Sequence, residues 1–519
     1  MKKRILFTFL SLVLLSAPAV VNARVKIDPK LVPFGKGQVE NANTVRVICL
    51  LNSPEEKIES PPRYQHRAVV RFLKQRTKLA FKPVAQFLHD QGHMNKTVKK
   101  VKLHWANNGF AATVSREGLK ALAKAPGIKK IYYAKRKVEE IKPKKTRGRD
   151  IESVSSYGLK EIGLDELLKD APDLDGRGVL LGVLDTGADG THPALQNKIL
   201  RFYDGEKKKP GAPIDYDTHG THVSGTVAGG DRGETRIGVA PGAKLVVAGA
   251  LNDYDQMIEG MQFMLDPDGN PATKDVPRAV NNSWHAPGAP DMELFYRMIS
   301  SWEAAGILPV FAAGNSGPRA KTIGKPQVHP ASLAVGATGP DGLIAKFSSR
   351  GPGDYKDKST EKPEITAPGV DIPSSVPGGA YAKYSGTSMA SPHVTGAVGI
   401  LLQLFPELNP VQIKKLLIKT AVSTDPNGNA GDGTWNAVYG FGKLNIYRAA
   451  KAARAIQDIG NGLLAGGNSL LDSLFTSPHS LEIEDFLSAP GLLSQEDLGE
   501  DLEPESINVN WASDTEFEE

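Results

Sequence analysis

The sequence predicts an α/β protein whose body is a doubly wound, mostly parallel sheet with helices on both faces, preceded by a small α+β domain. Continuous apolar runs bounded by turn residues are typical of strands buried on both faces of a parallel sheet. Five such runs occur, at residues 178–184, 244–248, 279–282, 308–313 and 333–337. Helical patterns lie mostly between or after them, at residues 222–228, 256–265, 294–305, 391–405 and 410–420. Alternation of strand and helix favours a parallel sheet.

Charge divides the 519 residues into units, although the net charge is only +5. Residues 24–150 are strongly basic, residues 151–454 are nearly neutral, and residues 455–519 contain acids but no Lys or Arg. Such a division argues against a single folding unit. We predict a basic domain folded over about residues 43–140, a body over 151–454, and a mostly disordered acidic tail over 455–519.

Residues 1–23 are predicted to be a secretory signal peptide. Lys2, Lys3 and Arg4 precede a short apolar core, and small residues at Val21 and Ala23 supply an exit site. A membrane anchor is the alternative, and the shortness of the apolar core disfavours it. We therefore expect an exported protein, extracellular or periplasmic, without a membrane association once the signal is removed. The single cysteine, Cys49, excludes an internal disulfide and lies in a run typical of a buried strand.

The basic domain shows strand and helix patterns of its own. Strands are predicted at residues 44–51, 98–105, 110–114 and 128–133, with helices at 65–91 and 116–125. Pro83 is expected to break or kink the first helix. The charged segment 135–156 that follows is expected to be an exposed, cleavable linker. The basic domain lacks the aromatic residues and motifs of a nucleic-acid-binding protein, so we expect no nucleic-acid partner.

Three polar residues stand where predicted strands end or helices begin. Asp185 ends the run at 178–184, whereas His219 and Ser388 open helices. A serine becomes a nucleophile when a histidine takes its proton, and a carboxylate holds that histidine in the required tautomer. Asn315 follows another buried run, where its side-chain amide and the backbone N–H of Ser388 would stabilise an oxyanion. Each residue alone is an ordinary turn or cap residue, and their joint occurrence indicates nucleophilic catalysis.

Four sequence blocks carry a family resemblance. They are Asp185-Thr186-Gly187, His219-Gly220-Thr221-His222, Gly314-Asn315-Ser316-Gly317 and Gly386-Thr387-Ser388-Met389-Ala390. Their residues and order resemble those of the subtilisin (subtilase) family of serine endopeptidases, over about residues 157–454. The segment 266–284 is similar to the bacillopeptidase F-like branch. Residues 43–140 resemble the inhibitory propeptide that precedes such proteases.

The resemblance implies a secreted serine endopeptidase made as an autoprocessed zymogen. Ser388 would form an acyl-enzyme with peptide substrates, and the chain's own propeptide would act as an intramolecular inhibitor. It further implies that Ser283, Trp284 and Gly314 pair with an extended substrate and that Gly324 forms the floor of a specificity pocket. With Ser316 at its rim, we expect this pocket to prefer apolar or mixed side chains. No cofactor is expected for catalysis, and the protein is expected to be a monomer.

The sequence departs from the family pattern at several positions. His285 stands where the family usually has glycine. Ala194 and Arg232 fall where a tight calcium site would need oxygen ligands, so we expect that site to be absent. Asp266 and Asp268 are either acidic turn residues or part of a different structural calcium loop, and no metal ligand is predicted among them.

Two other functional hypotheses remain. A catalytically silent homologue would act as a binding protein, but it would not need all four of Asp185, His219, Ser388 and Asn315. An esterase of the α/β-hydrolase type would carry Gly-x-Ser-x-Gly and the order Ser, Asp, His. Neither that motif nor that order of catalytic residues is seen in this sequence.

Overall fold

A computed structural model describes residues 25–38, 43–54, 60–146, 154–231, 235–286, 291–425 and 434–460. The predicted signal peptide and nearly all of the predicted acidic tail lie outside these residues. Among the described residues, no helix is both long and apolar enough to cross a membrane.

The N-terminal domain (residues 25–133) is built on a five-stranded sheet in the order β1-β5-β2-β4-β3. Its strands are β1 Lys26–Ile27, β2 Val45–Leu51, β3 Val98–His104, β4 Gly109–Val114 and β5 Ile128–Tyr133. Its helices are α1 Val32–Gly35, α2 His66–Asp90 and α3 Arg116–Leu122, with 3₁₀ turns at Pro29–Leu31 and Trp105–Asn107. The predicted strands and helices are present, with shifts of a few residues at their ends.

The folded part of this domain begins earlier than expected, and Pro83 does not break its first predicted helix. The folded part begins at Lys26 rather than near residue 43, because Leu31 and Phe34 are buried in its core. Helix α2 continues through Pro83 without a break. The turns before and after the proline bury Ala80 and Val84 in the same apolar cluster, and this packing holds the helix together.

The main domain (residues 154–460) contains an eight-stranded sheet in the order β11-β10-β13-β9-β14-β16-β17-β20. Its strands are β9 Leu180–Asp185, β10 Ile199–Asp204, β11 Lys209–Pro210, β13 Lys244–Gly249, β14 Ala279–Asn282, β16 Leu308–Ala312, β17 Leu333–Thr338 and β20 Ile365–Pro368. Every neighbouring pair is parallel except β10 with β11. The prediction of a mostly parallel α/β fold is confirmed.

Helices cover both faces of this sheet. They are α4 Tyr157–Glu161, α5 Leu164–Asp170, α6 His219–Ala228, α7 Tyr254–Leu265, α8 Glu293–Ala304, α9 Thr387–Leu404, α10 Pro410–Lys419 and α11 Ile446–Gly460, with a 3₁₀ turn at Pro193–Leu195. Successive strand residues point to opposite faces. Thus Val183 packs in the apolar cluster that contains α6 and α9, whereas Leu184 packs in the cluster that contains α7 and α8.

Short strands connect the two domains and border the sheet. They are β6 Glu139–Glu140, β7 Lys144–Thr146, β8 Val154–Ser155, β12 Thr235–Arg236, β15 Trp284–His285, β18 Gly353–Tyr355, β19 Lys358–Thr360, β21 Ile372–Val376 and β22 Ala380–Ser385. We call residues 134–146 the linker. Both of its strands pair with the main domain, β6 with β15 and β7 with β22.

Candidate active site

The candidate site lies at the carboxyl end of the central strands, where the chain reverses its winding direction. Strand β9 has β13 on one side and β14 on the other, and parallel sheets form their sites at such switch points. Asp185 is the last residue of β9, His219 is the first of α6, and Ser388 is the second of α9. The structure therefore brings the three residues to one edge of the sheet, and all three are fully buried.

Asp185 and His219 form a close hydrogen-bonded pair. Nδ1 of His219 lies 2.7 Å from Oδ1 of Asp185, which also accepts from the backbone N–H of Thr186 at 2.8 Å. This contact fixes the tautomer that carries the proton on Nδ1 and leaves Nε2 free to act as a base. Burial lowers the pKa of His219, but Asp185, helped by Glu140 and Asp215, more than offsets it, so the pKa is raised.

Ser388 is engaged by the linker rather than by His219. Its Oγ donates to the backbone carbonyl of Ile141 at 2.9 Å. Nε2 of His219 has no hydrogen-bond partner among the described residues. A serine hydroxyl has one proton to donate, so the hydrogen bond from nucleophile to base is not made in this state.

Asn315 lies beside Ser388 and also contacts the linker. Its Nδ2 donates to the carbonyl of Lys142 at 3.1 Å. Its Oδ1 accepts from both the backbone N–H and the hydroxyl of Thr387, each at 2.9 Å. Because Thr387 precedes Ser388 on α9, these bonds orient the Asn315 amide toward the start of that helix.

Ser283 and Trp284 form one wall of the cleft. The carbonyl of Ser283 accepts from the backbone N–H of Ile141 at 3.0 Å, and Trp284 pairs with Glu140 in the antiparallel β6–β15 ladder. The hydroxyl of Ser283 donates to the carbonyl of Ser388 at 3.1 Å, which ties this wall to α9. The wall therefore binds an extended chain as an added strand.

Gly314 and Gly324 lie on the other side of the cleft. Gly314 has a φ of +115°, and a Cβ there would lie 2.7 Å from the hydroxyl of Ser349, so both conformation and space require glycine. Gly324 donates its N–H to the carbonyl of Ala313 at 3.0 Å and is packed against the buried side chain of Gln327. The sequence did not predict that Gln327 lies beside Gly324, because a single glutamine belongs to no recognisable motif.

The linker alternates between exposed and buried residues over its described part, whereas its charge predicts an exposed segment throughout. Val138 and Ile141 are 3% and 4% exposed, and the N–H of Val138 donates to the carbonyl of Asn252 at 3.2 Å. Past its contact with Ser388, the linker continues as β7, which pairs with the last residues of β22. The linker thus runs through the whole cleft. Residues 147–153 lie outside the described residues.

The positions linked to calcium have ordinary partners where they are described. Ala194 is buried in a small apolar contact with Ile237, and Arg232 lies outside the described residues. Asp266 forms an ion pair with Lys74 at 2.6 Å, and Asp268 accepts from the backbone N–H of Asn270. The calcium expectations stay predictions.

The fold and the site together define a class. A doubly wound α/β domain that gathers an Asp–His pair and a helix-start serine at one sheet edge has the arrangement of a serine hydrolase. The sequence description of the Subtilase family matches residues 176–442, which is more than half of the chain. The chain therefore belongs to the subtilase family of serine peptidases, as the motif blocks predicted.

Individual relatives support this placement. The chain is 32% identical to bacillopeptidase F of Bacillus subtilis (strain 168) in an alignment of 429 residues, which covers 75% of this chain but only 29% of that protein. It is 33% identical to subtilisin DY of Bacillus licheniformis over 305 residues, which cover 57% of this chain and 98% of the relative. The crystal structure of fervidolysin from Fervidobacterium pennivorans, a keratinolytic enzyme related to subtilisin, superposes with a TM-score of 0.56 at 24% identity over 82% of this chain and 63% of that one. That structural likeness confirms the fold.

Proposed function

We propose that this protein is a serine endopeptidase made as a self-inhibited precursor, with Ser388 as nucleophile and the N-terminal domain as the inhibitor. One observation carries the proposal. The linker lies in the cleft as an extended substrate would, with the carbonyl of Ile141 on the hydroxyl of Ser388 and its N–H on Ser283. The bond presented for cleavage is therefore the peptide bond from Ile141 to Lys142.

The chemistry follows from the atoms at this bond. Oγ of Ser388 attacks the carbonyl carbon of Ile141 while Nε2 of His219 takes the hydroxyl proton, and Asp185 stabilises the resulting imidazolium. The oxyanion on Ile141 is held by the N–H of Ser388 and Nδ2 of Asn315. The proton then passes to the amine of Lys142 as the C–N bond breaks. A water molecule hydrolyses the acyl-enzyme by the same route.

The resting arrangement explains how the precursor persists. Oγ of Ser388 donates to the very carbonyl that it must attack, and Nδ2 of Asn315 donates to Lys142 rather than to Ile141. Both groups have to shift before the transition state forms. Pro143 follows Lys142 in the sequence. Because proline has no backbone N–H, this residue donates no backbone hydrogen bond to the cleft.

The linker also indicates what the cleft prefers in other substrates. Ile141, whose carbonyl meets the nucleophile, is an apolar residue and is buried. This supports the expectation that apolar side chains are accepted before the cut. We propose unfolded or flexible segments of proteins as substrates, and export through the signal peptide at residues 1–23.

The decisive experiment compares the wild-type chain with Ser388→Ala and with Ser359→Ala, a control at an exposed serine on β19. Intact mass and casein hydrolysis are measured for each. We expect the wild type and the control to lose the N-terminal domain, to begin at Lys142 and to degrade casein. Ser388→Ala should stay intact and inert, since loss of this nucleophile costs about 10⁶ in kcat in subtilisin, from which the magnitude is taken.

Each alternative result has its own meaning. If all three proteins stay intact and inert, the endopeptidase proposal fails and the silent homologue is favoured. If Ser388→Ala is cut like the wild type, another protease performs the processing. A new N-terminus at Pro143 would place the cut one bond further on.

A further inference from the structure

A second polar cluster lies where the N-terminal domain meets the main domain. His104 is the last residue of β3 in the N-terminal domain. Asp255 and Glu259 lie four residues apart on one face of α7 in the main domain. All three are buried, at 0%, 1% and 4% exposure.

Four atoms of this cluster lack hydrogen-bond partners in the part of the chain that the structure describes. They are both ring nitrogens of His104, Oδ1 of Asp255 and Oε1 of Glu259. The ligand atoms that the three residues offer all lie within 4.8 Å of one another. Buried polar atoms without partners are rare, because a group left without a hydrogen bond carries the full cost of leaving water. A single metal ion that bridges the three side chains would satisfy three of the four atoms, one from each residue.

The remaining carboxylate oxygens are held by groups outside the cluster. Oδ2 of Asp255 accepts from Nε of Arg46 at 3.0 Å and from Nζ of Lys208. Oε2 of Glu259 accepts from the hydroxyl of Tyr203 and forms an ion pair with Lys102 at 3.0 Å. These contacts orient the carboxylates, as outer contacts do in metal sites. They leave Oδ1 of Asp255 and Oε1 of Glu259 without a hydrogen bond, and Nζ of Lys208 lies 3.7 Å from the latter.

Three cations lie close to the two carboxylates and repel a metal ion. The side chains of Arg46, Lys102 and Lys208 are 16%, 47% and 33% exposed, so solvent screens the charges of the two lysines more than that of the arginine.

We propose that His104, Asp255 and Glu259 form a Zn²⁺ site that joins the N-terminal domain to the main domain. One imidazole nitrogen and two carboxylate oxygens are a mixed donor set that suits this borderline ion, with water as a fourth ligand. Because His104 belongs to the N-terminal domain, the complete site exists only while the two domains are docked. Zinc would therefore delay release of the inhibitor after the linker is cut, a consequence that rests on the proposed function, whereas the site itself does not.

The test uses the full chain with Ser388→Ala, which keeps the domains joined whether or not the protein is a protease. The protein is dialysed against a chelator, equilibrated with zinc chloride, and analysed for bound metal and for its thermal unfolding midpoint. We expect one zinc per chain and a raised midpoint. Adding His104→Ala should remove both effects, whereas adding His89→Ala, at an exposed histidine on α2, should leave them unchanged.

Two further measurements keep the test decisive if His104→Ala fails to fold. Glu259→Gln preserves the size of the side chain and should weaken zinc binding by more than about tenfold. Cobalt(II) added to the unchanged site should give the visible absorption of a four-coordinate ion. The proposal is overturned if the dialysed protein binds no zinc, or if His104→Ala binds as much zinc as His89→Ala.

Discussion

His219 has two carboxylates near its Nδ1 atom. Asp185 belongs to the main domain and lies at 2.7 Å, whereas Glu140 belongs to the linker and lies at 4.0 Å. Both raise the pKa of His219. In the proposed self-cleavage, the linker therefore stabilises the protonated form of the residue that would act as the base.

Removal of the linker charge should shift the pH dependence of self-cleavage. Glu140→Gln removes one cause of the raised pKa of His219, so His219 loses its proton at a lower pH. The acid limb of the pH–rate profile therefore shifts to lower pH. The measurement is the rate of loss of the full-length chain across pH. Glu139→Gln serves as the control, because neighbouring side chains on a strand point to opposite sides. Equal profiles for both variants would contradict the prediction.

Replacement of Asn315 tests the oxyanion contact. Asn315→Ala removes the Nδ2 donor near the start of α9, and we expect kcat of the processed enzyme on a peptide substrate to fall by about 10²–10³ with little change in KM, a magnitude taken from subtilisin. The thermal unfolding midpoint of the variant shows whether loss of the hydrogen bonds between Asn315 and Thr387 also destabilises the fold. A large rise in KM at constant kcat would instead assign Asn315 to substrate binding.

At the scale of elements, α9 fixes the site because it is buried along nearly its whole length. Its residues from Thr387 to Leu402 are buried, and the helix packs against α6 and the central strands. Of the two glycines within α9, Gly396 permits the closer approach of the helix to its neighbours. A Cβ at this position would lie 2.5 Å from Cβ of Val239 and 3.0 Å from the carbonyl of Val227 on α6.

A single methyl group at Gly396 should therefore loosen this helix. We expect Gly396→Ala in the Ser388→Ala background to lower the free energy of unfolding by about 1–3 kcal/mol, the usual cost of overpacking. Chemical denaturation measures the change. Gly211→Ala is the matched control, because a Cβ there meets only Cβ of Asp204 at an ordinary 3.7 Å. Similar losses in both variants would show that the close contact is not the cause.

The elements also show what the sequence was able to reveal. Five strands of the main sheet are visible as apolar runs because both of their faces are buried, and the polar residues that follow them mark the sheet edge. Strands β10, β11 and β20 were not predicted, because β10 and β11 contain exposed residues and β20 has only four residues. The linker strand β6 gave no such signal. Its partners come from β15, some 140 positions along the chain, so the charged residues around Val138 and Ile141 described only its exposed side.

At the scale of the whole molecule, the two domains share an apolar cluster bordered by ion pairs. Ile48, Leu50 and Tyr132 of the N-terminal domain pack in the same cluster as Tyr254 and Phe295 of the main domain. In the Lys and Arg ion pairs described between the domains, the base comes from the N-terminal domain or linker and the acid from the main domain. They are Arg46–Asp255, Arg63–Glu303, Lys74–Asp266, Lys102–Glu259, Lys129–Glu293, Lys130–Asp291, Lys130–Glu293 and Lys135–Asp253. The charge division of the sequence is thus used for docking.

These ion pairs should make the complex between the severed N-terminal domain and the main domain sensitive to salt. Raising the ionic strength from about 0.1 M to about 1 M shortens the screening length from about 10 Å to about 3 Å, so the severed N-terminal domain should dissociate faster. Gel filtration and recovery of peptidase activity follow the release. Lys74→Met should reproduce part of the effect at low salt, whereas Lys78→Met, one turn further along α2 and exposed, should not. Release that is independent of salt would assign docking to the apolar cluster alone.

The pairing of β6 with β15 has a kinetic consequence. Because the proposed inhibitor and the cleft belong to one chain, their encounter is unimolecular, and dilution does not reduce occupancy of the cleft. The lifetime of the precursor should be the same at every protein concentration. Once the bond from Ile141 to Lys142 is broken, the same contact becomes an association between two molecules, and dilution alone begins to free the enzyme.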